Sequence, residues 1–108
     1  MELAEKKCVP CEGGIPAIEG ANIENYTSQL KTKWDVVDGK MIRREFTFPD
    51  FSAAMDFANR VAEIAEEEGH HPDLYISWGK VIVTLYTHAI NGLSENDFIV
   101  AAKINDLS

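Results

Sequence analysis

No stretch of this chain stays apolar for long. In 108 residues nothing approaches the roughly eighteen apolar positions that a membrane-spanning helix needs. The opening run Met1-Glu2-Leu3-Ala4-Glu5-Lys6-Lys7 lacks the apolar centre of a secretory signal, so a cytoplasmic protein is expected. Basic side chains are also scarce, ten against eighteen acidic, and the net charge of −8 repels phosphate backbones and anionic membrane surfaces. Neither nucleic acid nor membrane is therefore an expected partner. The two cysteines, Cys8 and Cys11, form a lone Cys-Val-Pro-Cys, whereas a structural zinc site wants four ligands. They are read as thiols in an irregular arm, with redox chemistry or half of an intersubunit metal site as the other uses. At this length a second domain does not fit. A hydrophobic fraction of 45% and a charged fraction of 26% are those of an ordinary globular chain, not a disordered one.

Gly13-Gly14, Pro10 and Pro16 make residues 1–17 an irregular arm, and 18–108 a single domain. Ile23, Tyr26 and Leu30 recur at helical spacing, which predicts a short helix over 21–30. Residues 34–37 and 40–48 read as a hairpin about Asp38-Gly39, a pair suited to a turn with positive φ at both central positions. Asp50 can cap the best helix, 51–68, whose apolar face is Ala54, Phe57, Ala58, Val61, Ala62, Ile64 and Ala65. Gly69 stops it. A second hairpin joins 74–78 to 80–88 about Gly79, and Ser94 with Asp97 marks a capping-box start to a last helix ending near Asn105. This order of helix, hairpin, helix, hairpin, helix predicts an α+β fold, a four-stranded antiparallel sheet with three helices on one face. Along 81–86 the second strand of the second hairpin is apolar on both faces, so helices can cover only one of them and a second copy of the chain is expected to cover the other.

All three histidines, His70, His71 and His88, lie in the second half of the chain, two of them adjacent. Adjacent side chains leave a helix or strand in different directions, so a His-His pair at a break between elements can grip a ligand from two sides. A lone histidine is usually solvated or a satisfied core group. Three together, with an ordinary pKa of ~6.5, indicate proton chemistry or a metal. The order is an acid, three residues, His-His-Pro, an aromatic, a third His, then Asp. Glu66, His70, His71, Pro72, Trp78, His88 and Asp97 fill it. In this the chain resembles the pterin-4a-carbinolamine dehydratase family, from about Trp34 to the C-terminus. Animal members of that family double as a dimerisation cofactor of a homeodomain transcription factor.

That resemblance implies loss of water from a 4a-hydroxytetrahydropterin to give the quinonoid dihydropterin, recycling the cofactor of aromatic amino acid hydroxylases. No cofactor or metal is implied, the pterin being substrate. It further implies His70 and His88 as candidate acids and His71 in the binding site. Substrate contacts are implied over Gly69 to Pro72 and over Tyr86, Thr87, His88 and Ala89, and homodimers or homotetramers as the assembly. Where animal members carry a small hydroxyl residue and an acid, this chain has Tyr86 and Ala89. Backbone contacts are expected there more than side-chain ones. Glu66, one turn before His70, is expected either to orient that imidazole or to belong to a solvated Glu66-Glu67-Glu68 run. Asp97 is expected chiefly as a helix cap. Trp78 is expected to pack beside Gly79 rather than to stack on a ligand. The alternatives are a metal-dependent hydrolase with three histidine ligands, a non-enzymatic interaction module, and a pterin-binding protein of molybdopterin metabolism.

Overall fold

The computed structural model describes residues 2–9 and 17–107. The expected order of elements is present: α1 (Ala21–Thr27), β1 (Asp35–Val37), β2 (Met41–Thr47), α2 (Phe51–Glu68), β3 (Asp73–Ser77), β4 (Lys80–Leu85) and α3 (Glu95–Asn105). Short 3₁₀ turns add Leu3–Glu5 and His88–Ile90. Cys11 and the Gly-Pro stretch around it lie outside the described residues. Helix α1 is shorter than expected. Single turns carry the chain on to Leu30, which still packs inward with Ile23.

The sheet is antiparallel throughout, in the order β1-β2-β4-β3. Asp38 and Gly39 take φ of 55° and 67°, the double positive turn that their sequence suits. Because β4 is flanked on both sides, its inward residues Val81, Val83 and Leu85 are fully buried. Each such side chain contributes about 1.5–3 kcal/mol by leaving water. Ile42 and Phe46 on β2 join them, and all five share one core with α2 and α3. The sheet's other face differs from expectation. Ile82 and Thr84 of β4 are only half-buried, and Arg43, Glu45 and Tyr75 stand opposite them. That face is mixed in polarity, because the neighbouring strands supply charged and hydroxyl residues where β4 alone suggested an apolar surface.

Helix α2 begins where expected, with Asp50 Oδ1 accepting the Ala53 N–H at 2.8 Å. Its buried stripe is Ala54, Phe57, Ala58, Val61 and Ala65, while Ala62 is exposed. It ends at Gly69, whose φ of 64° and ψ of 28° place it in the left-handed region where a residue without Cβ is unstrained.

The most enclosed helix, however, is α3. Every residue from Asn96 to Ala102 is buried, and so are Ile104 and Asn105. Such a helix has no polar stripe to betray it, whereas α2 is plainly amphipathic. One side is covered by the 3₁₀ turn at Leu3–Glu5, with Leu3 only 3% exposed. Residues 2–9, expected as part of a loose arm, thus lie against α3. No helix among the described residues is long and apolar enough to cross a membrane.

Ile42→Ala is expected to destabilise the fold by about 2–5 kcal/mol, the range for truncating a core aliphatic, and Ile82→Ala by clearly less. Urea unfolding of the two variants measures this, and equal losses would contradict the assignment of inner and outer faces.

Candidate active site

Left-handed Gly69 turns the chain sharply at the end of α2, so that His70 and His71 diverge. His70 goes inward and is buried, while the side chain of His71 is 60% exposed. The inward ring meets Asp97, Nε2 to Oδ1 at 2.6 Å. Asp97 has no exposure at all, so every carboxylate oxygen needs a protein donor. Oδ2 accepts the Ser94 N–H at 2.9 Å and the Thr87 hydroxyl at 2.9 Å. The Ser94 and Thr87 hydroxyls lie 2.7 Å apart, and Ser94 Oγ accepts the Asp97 N–H to complete the capping box. Asp97, which already accepts the Ser94 N–H and the Thr87 hydroxyl, thus holds the His70 ring through Nε2 and fixes its orientation.

The second half of the site is the bend after β4. Thr87 and Gly92 exchange backbone bonds (N···O 2.7 and 3.4 Å), and the residues between them form the His88–Ile90 turn. His88 was expected at the far end of β4. It lies beyond the strand instead, exposed, its ring 4.2 Å from that of Tyr86. Gly69, His70, His71, Thr87, His88 and Ala89 together line a hollow of about 280 Å³. A smaller one of about 170 Å³, lined by Ala62, Ala65, Glu66, Pro72 and Leu74, adjoins it across His71. Larger hollows of about 630 and 690 Å³ lie elsewhere, but neither contains a histidine.

Several expectations need correction. Glu66 does not serve His70. Its Oε2 lies 2.5 Å from His71 Nε2, both side chains largely in water, because the Gly69 turn sends His70 the other way. Asp97 is both a helix cap and the partner of His70. Thr87 lines the hollow as expected, while its hydroxyl is turned to Asp97 and the residue is 1% exposed. Trp78 neither packs beside Gly79 nor reaches the hollow. It is 68% exposed at the tip of the β3–β4 hairpin, a strand length of roughly 16 Å from the histidine end at about 3.3 Å per residue. Ser94 in its hydroxyl role escaped the sequence reading, although its capping-box partnership with Asp97 was the signal. His70 and His71 turn their Nε2 atoms to different carboxylates, unlike ligands converging on one ion. Among the described residues no group of three or more His, Cys, Asp or Glu could hold a metal.

Fold and site together define an α+β protein with a hollow lined by three histidines. Comparison with known proteins gives the family. A family profile described as pterin 4 alpha carbinolamine dehydratase matches residues 16–107. A protein of Rubrobacter xylanophilus, provisionally named pterin-4-alpha-carbinolamine dehydratase, is 51% identical over 98% of both chains. One of Rickettsia canadensis, provisionally named likewise, is 52% identical over 94% of both. Among solved structures, the transcriptional coactivator/pterin dehydratase of Brucella melitensis is 35% identical, with a TM-score of 0.78 over 85% of this chain and 98% of that one. A pterin dehydratase-like RuBisCO assembly factor of the alpha-carboxysome shares the fold, with a TM-score of 0.61 at 24% identity over 71% of this chain and 90% of that one. The chain belongs to the pterin-4a-carbinolamine dehydratase family, a family of hydro-lyases.

Asp97→Ala leaves the His70 ring, the Thr87 hydroxyl and the Ser94 N–H without their acceptor in a dry site, and is expected to lower stability by about 3–5 kcal/mol. Glu66→Ala removes an exposed pair and should stay within about 1 kcal/mol. Denaturant midpoints of the two variants check the contrast.

Proposed function

We propose that this chain removes water from a 4a-hydroxytetrahydropterin to give the quinonoid dihydropterin, with imidazoles moving the protons. The observation carrying this is the buried His70 held by a fully bonded Asp97 beside the same hollow as His71 and His88. In the reaction the C4a–O bond breaks and hydroxide leaves with a supplied proton as water. The N5–H proton is removed and its electron pair forms the C4a=N5 bond, so one acid and one base suffice. His70 has a fixed ring and one nitrogen for exchange. His88 stands across the hollow on a bend and is the second proton carrier. His71, tied to Glu66, faces both hollows and holds the pterin. Backbone groups of Gly69 and Ala89, both of which line the hollow, meet its polar edge in this reading. At about 280 Å³ the hollow is near the lower end for small-molecule sites, which suits a compact bicyclic ligand.

The pterin is substrate here and no further cofactor is invoked. The setting proposed is cytoplasmic regeneration of the pterin used by aromatic amino acid hydroxylases. The proposed test is stopped-flow decay of freshly generated 4a-hydroxytetrahydropterin, in the presence of chelator. Wild-type protein should accelerate it, and His70→Ala and His88→Ala should each lose roughly a hundredfold or more, the scale for removing a general acid or base. Activity that disappears with chelator and returns with zinc would sink this mechanism, as would two variants within threefold of wild type.

The chain is further proposed to act as a homodimer or homotetramer. Strand β3 is a sheet edge with open backbone groups, and Leu74 and Tyr75 on it are exposed, the kind of edge that proteins cover. Sedimentation at micromolar concentration is expected to show two or four copies. A single 12.0 kDa species would rule this out.

A further inference from the structure

The His70–Asp97 bond joins two segments that are 27 residues apart in the chain, so its geometry depends on how the end of α2 sits against the start of α3. Residues 2–9 tie those two places together. The Leu3–Glu5 turn lies on α3, where Lys103 Nζ donates to Ala4 O at 2.7 Å and Lys6 Nζ to Glu95 Oε2 at 3.0 Å. Further along, the Cys8 N–H donates to Glu68 Oε1 at 2.8 Å. The next residue makes a pair of hydrogen bonds with α3: the Val9 N–H donates to Asn96 Oδ1 at 3.1 Å, and Asn96 Nδ2 donates to Val9 O at 2.8 Å. Glu68 stands two residues before His70. Asn96 is the immediate neighbour of Asp97.

We propose that Cys8–Val9 is a positioning strap for the acid–base pair, holding the Glu68 end of α2 and the Asn96 turn of α3 at the separation the His70–Asp97 bond requires. Glu68 and Asn96 are then positioning residues, acting through their neighbours and not on the ligand. Directional bonds suit this better than apolar contact, which tolerates sliding. A misplacement of about 1 Å in a reacting group can lower a rate as much as a hundredfold. The Glu68 carboxylate itself is 7% exposed and lies 3.8 Å from Lys103 Nζ, so it is held from the strap and from α3 at once.

This rests on the acid–base reading above, and full-length variants separate the two. Val9→Pro removes the N–H that Asn96 accepts and restricts the backbone of Cys8 before it, so it strikes the strap while leaving α2 and α3 unaltered in sequence. Glu68→Gln keeps an acceptor for Cys8, while Glu68→Ala removes it. The strap predicts that Val9→Pro and Glu68→Ala each lower kcat about tenfold with KM within about twofold, and that Glu68→Gln restores most of the loss. Nitrogen-15 NMR of the His70 ring supplies a readout independent of turnover. Wild type should show a single tautomer, and the two disruptive variants a mixture. Lower melting temperatures with kcat and the His70 tautomer unchanged would make the segment structural only and overturn the proposal. Should Val9→Pro fail to fold, the Glu68 pair decides. Should wild type prove inactive on the pterin, the acid–base reading fails and the tautomer comparison still decides the strap.

Discussion

A carboxylate with no access to water must be satisfied entirely by protein, and Asp97 imposes that requirement on three parts of the fold. Its two oxygens take donors from the end of α2, from the bend after β4, and from the residue that caps α3. Removing any one donor leaves buried charge under-solvated, at a cost of several kcal/mol. These segments are therefore coupled more tightly than apolar packing alone would couple them. The donor from the end of α2 is the His70 imidazole, so the same demand fixes that ring beside the hollow.

Around that point the fold holds parts of different stiffness. The inner face of β4 and nearly all of α3 are dry, so Thr87, Ser94 and Asp97 hang on rigid supports. His71 and His88 stand on the exposed rim, one bonded to a solvated glutamate and the other beside Tyr86. A fixed, buried imidazole with more exposed groups about it is an arrangement in which a ligand can enter without the core having to open. The fold alone would not license this reading, since a pterin dehydratase-like protein with the same architecture is described as a RuBisCO assembly factor.

Elements with strong local signals were legible in the sequence. The Asp38-Gly39 turn, the Asp50 cap, the Gly69 stop and the Ser94–Asp97 capping box each depend on residues within a few positions, and each appears in the structure. The enclosure of α3 was not legible, because its cover comes from residues 2–9 and a helix buried on every side shows no periodicity. Of the two expectations for Glu66, the solvated one holds, and its pairing with His71 was hidden because helical spacing cannot foresee where the chain points after a left-handed residue. Trp78 matched the family pattern by position, yet one sequence cannot tell which end of a hairpin meets the site. The three histidines were legible as a group, and the Asp97 network that fixes one of them became visible only in three dimensions.

The central claim is that a pterin binds in the hollow between His70 and His88 with its reacting edge toward the imidazoles. A crystal structure of the protein soaked with a stable dihydropterin tests this most directly. The account predicts the ring in the hollow lined by Gly69, His70, His71, Thr87, His88 and Ala89, with C4a and N5 within direct or one-water reach of His70 and His88 and the His70–Asp97 bond intact. A pterin seated elsewhere, or one whose C4a–N5 edge faces away from both histidines, would contradict it.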